Sequence, residues 1–88
     1  MTQREQLICR RALDALHDLD GGQFEEVQLH GDVNVRLENG GRGAASLAEI
    51  RAAIALCDAR GWINGVAGKP GRMKWSITDR GEAARLEL

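Results

Sequence analysis

The chain has 88 residues, 43% of them hydrophobic and 28% charged, with a formal net charge of −1. That length suits one small domain with a modest core, and that balance excludes a disordered chain. Near-neutral charge argues against a dedicated non-specific nucleic-acid binder, which carries a basic excess.

One Phe, two Trp and no Tyr leave the core to Leu, Ile, Val and Ala. The opening Thr2-Gln3-Arg4-Glu5 is polar and no apolar run follows it. No secretory leader is therefore expected, and no segment is apolar for long enough to span a bilayer. The expected location is the cytoplasm, with Cys9 and Cys57 as reduced thiols inside helices.

A first helix is expected over Gln3 to Leu19. Ile8, Ala12, Ala15, Leu16 and Leu19 recur at spacings of three and four, which makes one apolar stripe. Asp20-Gly21-Gly22 stops it, since glycine tolerates the left-handed backbone past a helix end. Phe24 to Leu37 fits two readings. As a helix, Val27 or Leu29, then Val33, then Leu37 share one side. As a β-hairpin, Val27-Gln28-Leu29-His30 and Val33-Asn34-Val35-Arg36 alternate around Gly31-Asp32, and the β-branched valines favour strand. Glu38 to Ala45, with Asn39-Gly40-Gly41 and Gly43, reads as a flexible connection longer than a tight helix-turn-helix turn.

Ser46 to Arg60 carries the clearest helix signal. Ser46 and Glu49 form a capping box, and Ile50, Ala53, Ile54 and Cys57 form a buried stripe with Leu47 at its edge. Gly61 ends it. Trp62 to Val66 and Met73 to Ile77 read as two strands of a hairpin, with Gly65, Gly68, Pro70 and Gly71 supplying the bends. Thr78 then caps a short helix from Asp79 to Leu86, with Asp79 and Glu82 near its positive end.

These elements run helix, helix, helix, strand, wing, strand, helix. Ala59-Arg60-Gly61-Trp62-Ile63, followed by Lys74-Trp75-Ser76-Ile77-Thr78-Asp79-Arg80-Gly81, resembles the end of the winged helix-turn-helix domains in MarR-like and PadR-like bacterial regulators. In those domains the reading helix ends in a glycine and an apolar pair, and the returning wing strand closes on a Thr-x-x-Gly that starts the next helix. The resemblance covers Ser46 to Gly81 well and the first half loosely. It implies an α+β, mainly helical fold: a three-helix bundle with a β-hairpin wing and a short C-terminal helix, as one domain over residues 1–88. It also favours the helix over the hairpin at residues 25–37, because the reading helix needs a helix before it. The chain departs from those families in lacking their long dimerising helices and in its Asn39 to Ala45 loop. A short, stand-alone winged-helix protein is the form these departures imply.

The outward face of the third helix holds Ala48, Ala52, Ala55 and Ala59, flanked by Arg51 and Asp58. A helix reading the major groove offers Arg, Asn, Gln, Ser or Lys to base edges. Arg51 fits, joined by Ser46 and Arg42 near the entry. Lys69, Arg72 and Lys74 on the wing suit phosphate or minor-groove contacts, which fix register rather than sequence. The expected partner is therefore double-stranded DNA, in transcriptional control. The plainer readings are a solvated hairpin and alanines present for helix propensity. A third is a homodimer or protein partner seated on the small residues. Trp62 and Trp75 on opposing strands suit core closure better than base stacking.

Cys9, His17, His30 and Cys57 lack any finger-like spacing, so no zinc or other cofactor is expected. Gly65-Val66-Ala67-Gly68-Lys69 lacks the first spaced glycine and the Ser/Thr of a phosphate loop. No nucleophile elbow or carboxylate pair suggests catalysis, and no small-molecule substrate is evident.

Overall fold

The computed structural model describes residues 1–69 and 72–88. Pro70 and Gly71, read from sequence as bend residues, lie outside them. Seven elements follow in order: α1 (Gln3–His17), β1 (Phe24–Glu25), α2 (Glu26–Asn39), α3 (Leu47–Ala59), β2 (Ile63–Ala67), β3 (Met73–Ile77) and α4 (Asp79–Glu87). The strands form one antiparallel sheet in the order β1-β3-β2. This is an α+β winged helix: α1, α2 and α3 enclose the core, the β2–β3 hairpin is the wing, and α4 packs on α1 and β3.

Thr2 and Glu5 cap α1 reciprocally, and the Thr2 backbone and hydroxyl groups hold the Glu5 carboxyl below the usual carboxylate range. The helix ends at His17, two residues short of the sequence expectation. Asp20 and Gly21 both take positive φ, 51° and 88°, and turn the chain back. Leu13 and Leu16 are fully buried on its inner face, beside Ile8, Cys9 and Ala12.

The ambiguous segment is a helix preceded by a two-residue strand. Leu29, Val33 and Leu37, one helical turn apart, are completely buried, while Val27 and Val35 stand in solvent. Val33 and Val35, two apart in sequence, imitated strand alternation but fall on opposite sides of the helix. The Gly31-Asp32 pair lies within the helix, where Asp32 pairs with Arg36 one turn on. Phe24 and Glu25 stay extended and pair with Trp75 and Lys74 of β3, a third strand that the sequence reading did not contain.

The connection between α2 and α3, expected to be flexible, is held at several points. Gly41 turns the chain at φ 74°, and the Arg42 N–H donates to the Leu37 carbonyl at 2.8 Å. Asn34 then clamps Ala45. Its Oδ1 accepts the Ala45 N–H at 2.7 Å, and its Nδ2 donates to the Ala45 carbonyl at 3.2 Å. His30 Nε2 reaches the same carbonyl at 2.7 Å. The glycines supply conformations, and side chains of α2 satisfy the loop's backbone groups.

The capping box of α3 forms as the sequence implies, with the Ser46 Oγ accepting the Glu49 N–H at 3.1 Å. Arg4 donates to Glu49 at 3.0 Å and lowers its carboxyl below the usual range, helped by the Ser46 N–H. Ile50, Ala53, Ile54 and Cys57 are buried, as the stripe requires. Cys57 meets Cys9 of α1 in the core; that contact and burial push the Cys57 thiol up.

The passage from α3 into the wing is closed by the backbone of one residue, Trp62. Gly61 turns at φ 71°, and the Trp62 N–H donates to the Cys57 carbonyl at 2.9 Å. The Trp62 carbonyl accepts the Thr78 N–H at 3.0 Å, and the Thr78 hydroxyl donates to the Gly61 carbonyl at 2.6 Å. The same hydroxyl oxygen caps α4 by accepting the Gly81 N–H at 3.1 Å. A Cβ at position 81 would strike the Trp62 carbonyl oxygen and come within 2.7 Å of Ile77 Cγ1. Only glycine lets α4 start there.

Gly81→Ala is therefore expected to lower the unfolding free energy by about 1–3 kcal/mol, the usual range for overpacking. Urea denaturation checks this. Equal stability of the variant would contradict the seating described.

Candidate nucleic-acid interface

The wing follows from its register. Gly65 lies opposite Trp75, and Ala67 opposite Met73. A Cβ at Gly65 would sit 2.7 Å from the Trp75 ring and 2.6 Å from Met73 Cε, so the missing side chain lets both cover the hairpin. Trp75 and Trp62 are half-buried and pack on the core. Arg60 places its guanidinium 5.5 Å from the centre of the Trp62 ring.

A groove of about 530 Å³ runs between the first turn of α2, α3 and β3. Ile54, Met73 and Trp75 form its apolar wall, and Glu25, Glu26, Arg51 and Arg72 its charged one. The charges alternate. Arg51 Nε donates to Glu26 Oε1 at 3.1 Å, and Arg72 Nη1 lies 3.5 Å from Glu25 Oε2. Both arginine side chains remain about two-thirds exposed, at 63% and 66%.

The structure thus brings Arg51 and Arg72 into one groove and separates the other sequence candidates from it. Lys74 lies between Met73 and Trp75 in β3, so the pleat turns it to the opposite face of the hairpin, where its chain runs past Gly68. Lys69 is exposed near the wing tip, and neither lysine has an ion-pair partner among the described residues. The Ser46 hydroxyl is engaged in the cap of α3. Arg42 lines a different depression, with Arg10 and Arg11 of α1.

Glu25 and Glu26 were absent from the sequence candidates. Acidic residues just before and within the first turn of a helix are a capping and dipole signal. Their approach to α3 and the wing depends on β1 pairing with β3, which places Glu25 beside Lys74. On the exposed side of α3, Ala48, Ala52, Ala55 and Ala59 accompany Arg51 and Asp58 as expected.

The cysteines and histidines do not converge. Cys9 and Cys57 are buried in the core, His17 pairs with Glu82 at 2.9 Å, and His30 holds Ala45. Among the described residues no group of His, Cys, Asp and Glu could hold a metal ion, and no helix is long and apolar enough to cross a membrane.

Two solved structures share this architecture. A transcriptional regulator from Clostridium thermocellum, Cth-833, superposes with a TM-score of 0.73 at 17% identity, over 91% of this chain and 74% of its own. SSV1 F-93 superposes with a TM-score of 0.66 at 16% identity, over 99% of this chain and 82% of its own. At these identities the likeness is one of fold, and the fold is the winged helix. No protein-family model matches the chain, and no curated protein matches it.

Exposed ion pairs contribute little to stability, typically about 0–1 kcal/mol. Replacing Glu26 by Gln is accordingly expected to shift the thermal midpoint by no more than a few degrees. Calorimetry checks this, and cooperative unfolding lost in the variant would show the Arg51–Glu26 pair to be structural instead.

Proposed function

We propose that this chain is a winged-helix DNA-binding protein acting in transcriptional control, with no catalytic role of its own. One observation carries the reading: Arg51 on the exposed side of α3 and Arg72 near the tip of the wing line the same groove. In such docking α3 lies along the major groove. Its alanines permit close approach of the helix, and Arg51 is the residue able to reach a base edge or phosphate. Arg72, Lys69 and Lys74 then contact the flanking backbone. The fold-level likeness to a transcriptional regulator supports the same reading.

Docking requires an exchange of partners. Glu26 and Glu25 must yield Arg51 and Arg72 to phosphates. Because both pairs are solvent-exposed, the cost is small beside the counterion release that phosphate contacts provide. One guanidinium facing the bases gives limited discrimination, about 1–3 kcal/mol for a good bidentate contact. The expected mode is therefore backbone-led binding with modest sequence preference.

A second reading is favoured by a specific observation. Glu25 and Glu26 interrupt the positive stripe between α3 and the wing, as suits a surface that meets another protein or a second copy of this chain. In that mode the small residues Ala48, Ala52, Ala55 and Ala59 allow a helix to approach.

Duplex binding measured by fluorescence anisotropy across a salt series separates the two. The DNA reading predicts salt-dependent affinity, weakened and with a shallower salt slope in Arg72→Glu and Lys74→Glu. Glu26→Gln should bind more tightly than the parent chain. Absence of salt-dependent binding to any duplex at low ionic strength would overturn it. Loss of self-association or partner binding in Ala52→Glu, with no effect of the wing substitutions, would establish the second reading.

A further inference from the structure

A second charged depression lies on the α1 side of the molecule and has no part in the docking described above. It measures about 480 Å³ and lies between the N-terminal half of α1, Arg42 of the α2–α3 connection and Leu88 after α4. Its polar lining is Gln3, Gln6, Arg4, Arg10, Arg11 and Arg42, and among the described residues no Asp or Glu side chain lines it.

The charges there are out of balance. Arg4 is already committed: it donates to Glu49 and to the carbonyls of Gly43 and Ala44, and forms a wall. Arg10, Arg11 and Arg85 all turn to one carboxylate, Asp14, at 3.8, 3.0 and 3.4 Å. Three guanidinium groups thus share one aspartate side chain. Arg10 Nε is buried with no hydrogen-bond partner, while Nη1 of the same group donates to the Leu88 carbonyl at 2.8 Å. Arg42 is exposed and has no ion-pair partner among the described residues.

We propose that this depression binds a small, multiply charged anion of the phosphate-ester or polyphosphate class, gripped by Arg10, Arg11 and Arg42. Planar guanidinium groups match phosphate oxygens with paired N–H donors, and several of them favour a dianion or higher charge over a single carboxylate. Gln3 and Gln6, one turn apart on α1, add amide donors at the rim. The volume falls in the range of ordinary ligand sites. Arg42 also belongs to the segment that leads into α3. An anion held there touches the approach to the presenting helix without entering its groove.

The test is a two-dimensional amide NMR titration of the whole chain with inorganic pyrophosphate, at ionic strength held constant with chloride. Saturable shifts confined to residues 3–11 and 40–44, with β2 and β3 unmoved, support the site. Arg42→Gln alters an exposed loop residue and should weaken pyrophosphate binding about tenfold or more, the loss expected for a charge-assisted contact. Arg72→Gln should leave it unchanged. Shifts spread equally over every cationic residue, or Arg42→Gln binding as tightly as the parent, would overturn the proposal. So would a short duplex shifting the α1 amides where pyrophosphate does not, since that would make the depression part of a nucleic-acid surface.

Discussion

The backbone N–H and carbonyl of Trp62 hold the two halves of this fold together. Its N–H closes the end of α3, and its carbonyl receives the Thr78 N–H at the end of the wing. Gly81 rests against the same oxygen. The direction in which the hairpin leaves α3 is thereby fixed at its base, close to the core rather than at its tip. Everything proposed for the α3–wing groove inherits that geometry: Arg72 precedes β3, and β3 returns to Trp62.

Electrostatics then modify what the geometry offers. An uninterrupted positive stripe would make nucleic-acid binding strong and indiscriminate. Here two carboxylates at the start of α2 stand between the arginines, and the formal net charge of the chain is −1. The groove is closer to neutral, with an apolar wall from Ile54, Met73 and Trp75. Such a surface binds a duplex by exchanging ion pairs rather than by filling an empty field. Affinity should then depend on salt only through the few phosphates neutralised by the wing lysines and by Arg51 and Arg72 once released from Glu26 and Glu25. The α1 side has the opposite character, with several guanidinium groups sharing a single carboxylate.

Much of the fold was legible because it rests on local chemistry. Ser46 and Glu49 announced α3, the Ile50, Ala53, Ile54 and Cys57 spacing its buried face, and Thr78 the start of α4. The segment over 24–37 was harder, because Val33 and Val35 mimic strand alternation. Burial of Leu29, Val33 and Leu37 against the other helices decides it, and that contact is not local. The strand at Phe24 and Glu25 could not be read from two residues, since its only signature is pairing with β3 fifty positions later. The same long-range pairing explains why Glu25 and Glu26 were missed at the groove. Arg42 shows the converse: its loop position suggested the entry to α3, whereas the fold directs it toward α1. Residue types were readable, but the face each occupies depends on contacts distant in sequence.

The seating of α4 on Trp62 is tested most directly by native-state hydrogen exchange at the Thr78 amide. If the Trp62 carbonyl anchors the wing, Thr78 exchanges only through global unfolding, with protection matching that of Leu13 and Ile50 in the core. Exchange of Thr78 as fast as that of Gly68 near the wing tip would show the hairpin base opening independently of the core, and would contradict the account.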